Sequence, residues 1–334
     1  MNAAILGTSN GIISDGYIKA IKESSLFINV KNLSVGASSC AFFPFRLRTI
    51  EWDKVDIIFV ESLVNDAASL RAKAFDNSHI NQYYSDLFSR CNENNVVLVG
   101  MLLPGRTRDK YSEEAFNILK NFYDENDVYY LNFDDALNSY AESNQTTVFD
   151  LYRDAAHLES TVINDICKGL IEHDFKPDEL KLGKSKSKSE NFTFININEM
   201  IFDKKTCFDK EILNSLLSVN TCYFENEFKL EVVLPYDNFE IYSLVLNANN
   251  THCQFEISGA NSCLKNLCFD LIPNNNKIII SPLISTVSIA NCSVTFRANK
   301  FQDRNSKGEI AYQGKTINLD QFSFEIAGMI IKHN

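Results

Sequence analysis

The chain has 334 residues, 45% of them hydrophobic and 12% aromatic, which is ample for packed cores and excludes global disorder. Its formal net charge of -11 argues against nucleic acid as the main partner, because a phosphate-binding surface needs clustered Lys and Arg. No stretch approaches the roughly 20 consecutive apolar residues that a membrane-spanning helix requires.

The length points to two domains, and the charge is distributed unevenly. Residues 1–178 carry 16 basic and 26 acidic side chains, whereas the remainder carries 16 and 17. Residues 2–7 form an apolar run ending at Gly7 and read as a first strand. They lack the basic start and the length of a signal segment, so the expected location is cytoplasmic. Ser14 and Asp15 mark a helix start, followed by Tyr17, Ile18 and Ile21 at helical spacing. Residues 26–35 read as a second strand, and residues 55–60 as a third, nearly continuous and β-branched, as in a strand covered on both faces. A helix over 78–92, a strand over 96–103 closed by Pro104 and Gly105, a helix over 111–122, a strand over 128–133 and a last helix over about 158–172 complete the series.

Strands alternating with helices predict a parallel sheet covered by helices on both faces, with ligands bound beyond the carboxyl ends of the strands. Residues 175–191 break the rhythm. Pro177 precedes a Lys- and Ser-rich run that reads as a linker. Beyond it come short strand signals at 228–234, 241–246, 253–257, 277–280 and 293–297, with a short helix expected at 209–217. This spacing predicts an all-β sandwich or jelly roll. The expected domains are therefore 1–178 and 192–334, joined by 179–191.

Nine scattered cysteines in a chain of this size read as buried reduced thiols. His252 and Cys253 with Cys263 and Cys268 do not match a paired zinc framework, so no metal is expected. No glycine-rich phosphate loop follows the first strand, which argues against a nucleotide cofactor.

Four short stretches fall where strand-like segments give way to loops: Gly7-Thr8-Ser9-Asn10, Gly36, Asn65-Asp66, and Asp154 to Leu158. A serine hydroxyl needs a base within hydrogen-bond reach to act as a nucleophile. Asp154 and His157, three residues apart, would share one face of a helical turn, letting the carboxylate orient the imidazole toward Ser9. Asn65 offers an amide donor and Gly36 an unobstructed backbone N–H, both suited to an oxyanion. Taken singly, each residue also fits a turn, cap or packing role.

The ordered set resembles the SGNH (GDSL-type) hydrolase family over about residues 1–175. Gly7-Thr8-Ser9 matches its Gly-Asp-Ser motif with Thr8 in place of Asp. Leu63-Val64-Asn65-Asp66 matches Gly-x-Asn-Asp with Leu63 in place of Gly, and Asp154 to His157 matches Asp-x-x-His fully. The resemblance implies a three-layer α/β/α, flavodoxin-like domain. It implies a catalytic Ser9, His157 and Asp154, and an oxyanion hole formed by Ser9, Gly36 and Asn65. It further implies ester hydrolysis or O-acyl transfer through a Ser9 acyl-enzyme. No apolar flap is evident and a β-rich domain is appended, so the expected substrate is O-acetylated carbohydrate such as a surface polysaccharide. The alternative is a non-catalytic glycan- or subunit-binding protein on the same scaffold. Oligomeric state is left open.

Overall fold

The computed structural model describes residues 1–183, 190–214, 216–269, 277–303, 308–310 and 317–333. The chain divides into two compact units, one made of Met1–Arg71 with Asn77–Glu190, the other of Ala72–Asp76 with Asn191–Asn334. Most of the Lys- and Ser-rich run expected as a linker, residues 184–189, lies outside the described residues.

In the first unit, strands β1 (Asn2–Leu6), β2 (Asn29–Asn32), β3 (Ile57–Val60), β4 (Val97–Leu102) and β5 (Tyr129–Asn132) form one sheet in the order β2-β1-β3-β4-β5. Every pairing is parallel. The side chains alternate with a period of two. Ala3, Ile5, Ile57, Phe59, Val99 and Met101 share one face and one apolar core with helices α1 (Tyr17–Glu23), α6 (Phe133–Ser143) and α7 (Ser160–Gly169). The opposite face packs α4 (Asn77–Glu93) and α5 (Lys110–Glu125), whose Tyr84, Phe122 and Tyr123 rings meet edge to face. Gly100 makes this possible, because a Cβ there would lie 2.4 Å from the Tyr123 ring.

The expected α/β/α arrangement is thus present, with local differences. The second strand is only four residues long; it is an edge strand whose side chains alternate between exposed and half-buried. Helices α2 (Phe43–Leu47), α3 (Leu63–Arg71) and α6 were not expected from the sequence. The last helix ends at Gly169 and continues as a wider turn over Leu170–Asp174.

The second unit is built from two sheets. One contains β6 (Phe192–Asn196), β7 (Phe208–Asn214), β8 (Leu217–Phe224), β10 (Phe239–Asn247), β13 (Ile278–Ile289) and β16 (Phe324–His333), in the order β13-β10-β16-β8-β7 with β6 also paired to β16. The other contains β9 (Phe228–Val233), β11 (His252–Ser258), β12 (Ser262–Cys268), β14 (Ser293–Asn299) and β15 (Glu309–Ile310), in the order β15-β12-β11-β14-β9. The central strands are β10 (Phe239–Asn247) and β16 (Phe324–His333) in the first sheet, and β11 (His252–Ser258) and β14 (Ser293–Asn299) in the second. All pairings are antiparallel except β12 (Ser262–Cys268) with β15 (Glu309–Ile310). The inner faces share one core, in which Phe255 of β11 stacks on Phe324 of β16 at 4.6 Å. This is a β-sandwich.

Two expectations fail here. Residues 208–214 form strand β7 (Phe208–Asn214), hydrogen-bonded to β8 (Leu217–Phe224). Ile212 is buried while Glu211 and Leu213 on either side are exposed, a period of two rather than 3.6. Cys207 and Cys222 form a disulfide, so these two sulfurs are not the reduced thiols expected. The His252 ring engages the Asn318 carbonyl oxygen through Nε2 at 3.0 Å.

Candidate active site

The strand order reverses direction at β1. The chain moves outward to β2, then returns to lay β3 on the other side of β1. In open parallel sheets, the crevice beyond the strand ends at such a switch point is the usual ligand site. Ser9 follows β1 in a turn, with φ -63° and ψ -32°, and opens a short 3-10 turn over Asn10–Ile12. Asn65 lies in the first turn of α3, just after β3. Both therefore stand at the switch point.

Four chain segments are tied together here. The Val35 N–H donates to the Gly7 carbonyl at 3.0 Å, joining the Gly36 loop to the Ser9 loop. Gly7 must be glycine, since a Cβ would lie 2.2 Å from the Tyr17 hydroxyl. Asp66 Oδ1 accepts the Cys40 N–H at 2.7 Å and its Oδ2 accepts the Ser62 hydroxyl at 2.6 Å, which fixes α3 against the segment leaving Gly36. The Asn10 amide donates to the Ala156 carbonyl at 3.4 Å, connecting the Ser9 turn to the His157 loop. Finally, the Arg106 N–H donates to the Ala155 carbonyl at 3.0 Å, and Val64, beside Asn65, lies against Gly105.

Asp154 and His157 are not in a helical turn. They occupy an irregular loop closed by a bridge between Tyr152 and Leu158. The two side chains still meet, because Asp154 folds back over the loop. Its Oδ1 accepts the N–H groups of Ala156 and His157, both at 2.8 Å, and His157 Nδ1 lies 2.8 Å from Oδ2. Partial burial disfavours ionisation of Asp154, but the two backbone donors and the imidazole outweigh it and hold the carboxyl below its usual range. Binding of Asp154 at Nδ1 leaves His157 Nε2 for other chemistry.

Ser9 Oγ and His157 share no hydrogen bond in this structure; their neighbours Asn10 and Ala156 make the contact. Catalytic hydrogen bonds are often long in the ligand-free state and tighten only around substrate. The three expected oxyanion donors have one property in common. The backbone N–H groups of Ser9 and Gly36 have no protein acceptor among the described residues. The Asn65 amide nitrogen is buried and has no hydrogen-bond partner. A buried donor left unpaired costs about 1–3 kcal/mol.

Two functional-looking residues were not singled out from the sequence. Glu61, at the end of β3, is fully buried and accepts from both the N–H and the hydroxyl of Thr8. Burial pushes it up to about 7, against the pull of the Thr8 donors, with the Asp66 charge adding to the rise. Its signal is an acid directly after an unbroken apolar strand. Phe149 is 62% exposed, and the Arg106 guanidinium lies 4.5 Å from its ring centre. The Tyr152 hydroxyl donates to the Pro104 carbonyl at 2.8 Å, pinning the two loops that carry this pair. A hollow of about 570 Å³ lies elsewhere on this unit, lined by Glu23, Leu26, Glu172 and Phe175 among others. It is not lined by any of the four motif segments.

No protein-family model matches the chain, and no curated protein matches it by sequence. Solved structures do. A two-domain esterase (CEX) active on acetylated mannans aligns with a TM-score of 0.65 and 10% identity, over 100% of this chain and 92% of that one. The same esterase co-crystallised with mannopentaose gives 0.66 and 10% identity, over 100% and 91%. Axe2, an acetylxylan esterase from Geobacillus stearothermophilus, covers 52% of this chain and 94% of its own, with 11% identity and a TM-score of 0.43. At these identities the likeness is one of fold. The chain has a parallel α/β/α unit and a β-sandwich unit, and matches the fold of that two-domain esterase. Among the described residues, no helix is long and apolar enough to cross a membrane.

The buried Asp66 carboxyl gives a pH test of this framework. Burial raises it from 3.8 to about 6, despite the Ser62 and Cys40 donors that favour ionisation. A raised acid takes up its proton more readily in the folded state, so its contribution to stability is full below pH 4 and is lost as pH rises through 6. The stability of the parent relative to Asp66→Asn should therefore fall between about pH 4 and 6.5, by on the order of 2–3 kcal/mol. Urea unfolding of both proteins across this range measures it, and a constant difference would refute the burial argument.

Proposed function

We propose that this chain is an SGNH-type serine ester hydrolase acting on O-acetylated carbohydrate. The observation that carries the reading is that three donors without protein acceptors among the described residues follow β1, β2 and β3, and that the loop of the Asp154–His157 pair is bonded to the Ser9 turn. Donors left without a protein partner are what a developing oxyanion requires.

In the proposed reaction, His157 Nε2 takes the Ser9 hydroxyl proton as Oγ attacks the acetyl carbonyl carbon. The carbonyl oxygen becomes an oxyanion held by the N–H groups of Ser9 and Gly36 and by the Asn65 amide. The Asn65 donor is shielded in the ligand-free state, so its engagement requires a local side-chain shift. His157 then gives the proton to the departing sugar oxygen, leaving an acetyl ester on Ser9. Water, deprotonated by His157, attacks that ester, and His157 returns the proton to Ser9 Oγ as the C–Oγ bond breaks and acetate leaves. Asp154 keeps the proton-bearing Nδ1 in place and stabilises the imidazolium. A sugar hydroxyl in place of water would make the same site an acetyltransferase. Release of acetate with and without added acceptor separates the two.

Carbohydrate is favoured over bulk lipid by the exposed Phe149 with Arg106 beside it, on loops bonded to the His157 segment. An aromatic face stacks on a pyranose ring, and a guanidinium fork donates to its hydroxyls. The likeness to an esterase active on acetylated mannans supports the same choice at the level of fold.

Two measurements test this reading. Ser9→Ala should abolish p-nitrophenyl acetate turnover and fluorophosphonate labelling with the fold intact, and Asn65→Ala should lower kcat about 10²–10³-fold. Undiminished turnover in Ser9→Ala, or a well-folded parent silent to the probe, would favour a binding protein instead. Phe149→Ala should reduce kcat/KM on acetylated oligosaccharides about 3–10-fold while leaving p-nitrophenyl acetate unchanged. Equal loss on both substrates would contradict a sugar platform.

A further inference from the structure

Glu61 has no role in the mechanism above, yet it stands directly under the nucleophile's turn. Its Oε2 accepts the Thr8 N–H at 3.1 Å and the Thr8 hydroxyl at 3.0 Å, and Oε1 lies 3.3 Å from the same hydroxyl. Both residues are 0% exposed. Glu61 is itself anchored, because its N–H donates to the Leu6 carbonyl at the end of β1. The Thr8 carbonyl is held from the other side by the Gly11 N–H at 3.1 Å.

These contacts determine where the catalytic turn points. The Thr8 carbonyl and the Ser9 N–H belong to one planar trans peptide, so they point in opposite directions. Fixing Thr8 at its N–H, its hydroxyl and its carbonyl therefore fixes the direction of the Ser9 N–H. Thr8 occupies the place where the motif this segment resembles has an acid, and Glu61 supplies a carboxyl from the neighbouring strand. The other titratable groups facing Glu61 are Asp66 of α3, Tyr17 of α1 and Tyr123 of α5. Burial raises both tyrosines, so they stay neutral in the working range.

Resting on the esterase reading, we propose that Glu61 is a positioning residue: through Thr8 it holds the Ser9 turn so that the Ser9 N–H and hydroxyl face the acyl group. The role needs an acceptor oxygen and not a negative charge. Both strong contacts use one oxygen, Oε2. A glutamine can present its carbonyl there, and its amide can donate to the Thr8 hydroxyl from the position of Oε1.

The test compares Glu61→Gln, Glu61→Ala and Thr8→Val on p-nitrophenyl acetate, with kcat expressed per fluorophosphonate-titrated site. Glu61→Ala should lose about 10²-fold in kcat with KM unchanged, as expected for a small misplacement of reacting groups. Glu61→Gln should keep kcat within about threefold and retain the parent pH profile, since a good acceptor remains. Thr8→Val removes one of the two donors and should fall between them, which keeps the question open to test if Glu61→Ala does not fold. A merely structural role would lower the titrated fraction and Tm but leave kcat per site intact, overturning the proposal. Loss in Glu61→Gln as large as in Glu61→Ala, or a displaced pH limb, would also overturn it by showing that the charge matters. Should the parent fail to turn over ester, or Ser9→Ala retain activity, the esterase reading fails and this inference falls with it.

Discussion

Backbone donors at the carboxyl ends of β1, β2 and β3 need acceptors once their loops fold inward, and two buried carboxyls supply them. Glu61 takes the Thr8 N–H, and Asp66 takes the Cys40 N–H. Burying either acid is unfavourable, as their raised proton affinities record. Leaving the facing N–H groups unpaired in the same place would be unfavourable too. Once these donors are satisfied, those of Ser9, Gly36 and Asn65 remain without protein acceptors among the described residues. The selective pairing of some loop donors and not others distinguishes this sheet end from an ordinary set of tight turns.

The rest of the first unit keeps that framework rigid. The core on one face runs from Ala3 to Phe175, and on the other the rings of Tyr84, Phe122 and Tyr123 interlock above Gly100. The acid network reaches into this aromatic layer, because the Ser62 hydroxyl that donates to Asp66 also lies 2.8 Å from the Tyr84 hydroxyl. The buried Arg46 donates from Nε to the Leu33 carbonyl at 3.0 Å, steadying the approach to Gly36. By contrast, the His157 segment is irregular and partly exposed. It is held by the folded-back Asp154 side chain and by single hydrogen bonds from Asn10 and Arg106. A firmly held Ser9 turn is thus bonded to a more lightly held His157 loop.

Much of this was legible in the sequence where one physical signal dominated. Strands β3 and β4 are unbroken apolar runs, and the alternation with helices implied a parallel sheet whose carboxyl ends carry Ser9, Gly36 and Asn65. The Asp154–His157 contact was anticipated, although for the wrong local reason. An aspartate folding back on the N–H groups two and three residues ahead produces the same proximity as a helical turn. Helix α3 was missed because Leu63 to Arg71 has weak amphipathic patterning, with the polar residues Asn65, Asp66 and Ser69 all buried. Strand β7 was read as helix because Ile212 and Leu213 sit next to each other in a short polar run, and pairing with β8 decided the outcome. An acid directly after an apolar strand marks Glu61, but its pairing with Thr8 and the Cys207–Cys222 bond are long-range contacts that no local pattern carries.

The central claim is that a hydroxyl near one end of the first unit and an imidazole near the other act on one carbonyl. A crystal structure of the protein after reaction with a phosphonate ester inhibitor addresses it most directly. The account predicts phosphorus bonded to Ser9 Oγ, a phosphonyl oxygen within hydrogen-bond reach of the Ser9 and Gly36 N–H groups and the Asn65 amide, and His157 Nε2 beside Ser9. A covalent adduct on another residue, or Ser9 modified with His157 still too far away to share its proton, would contradict it.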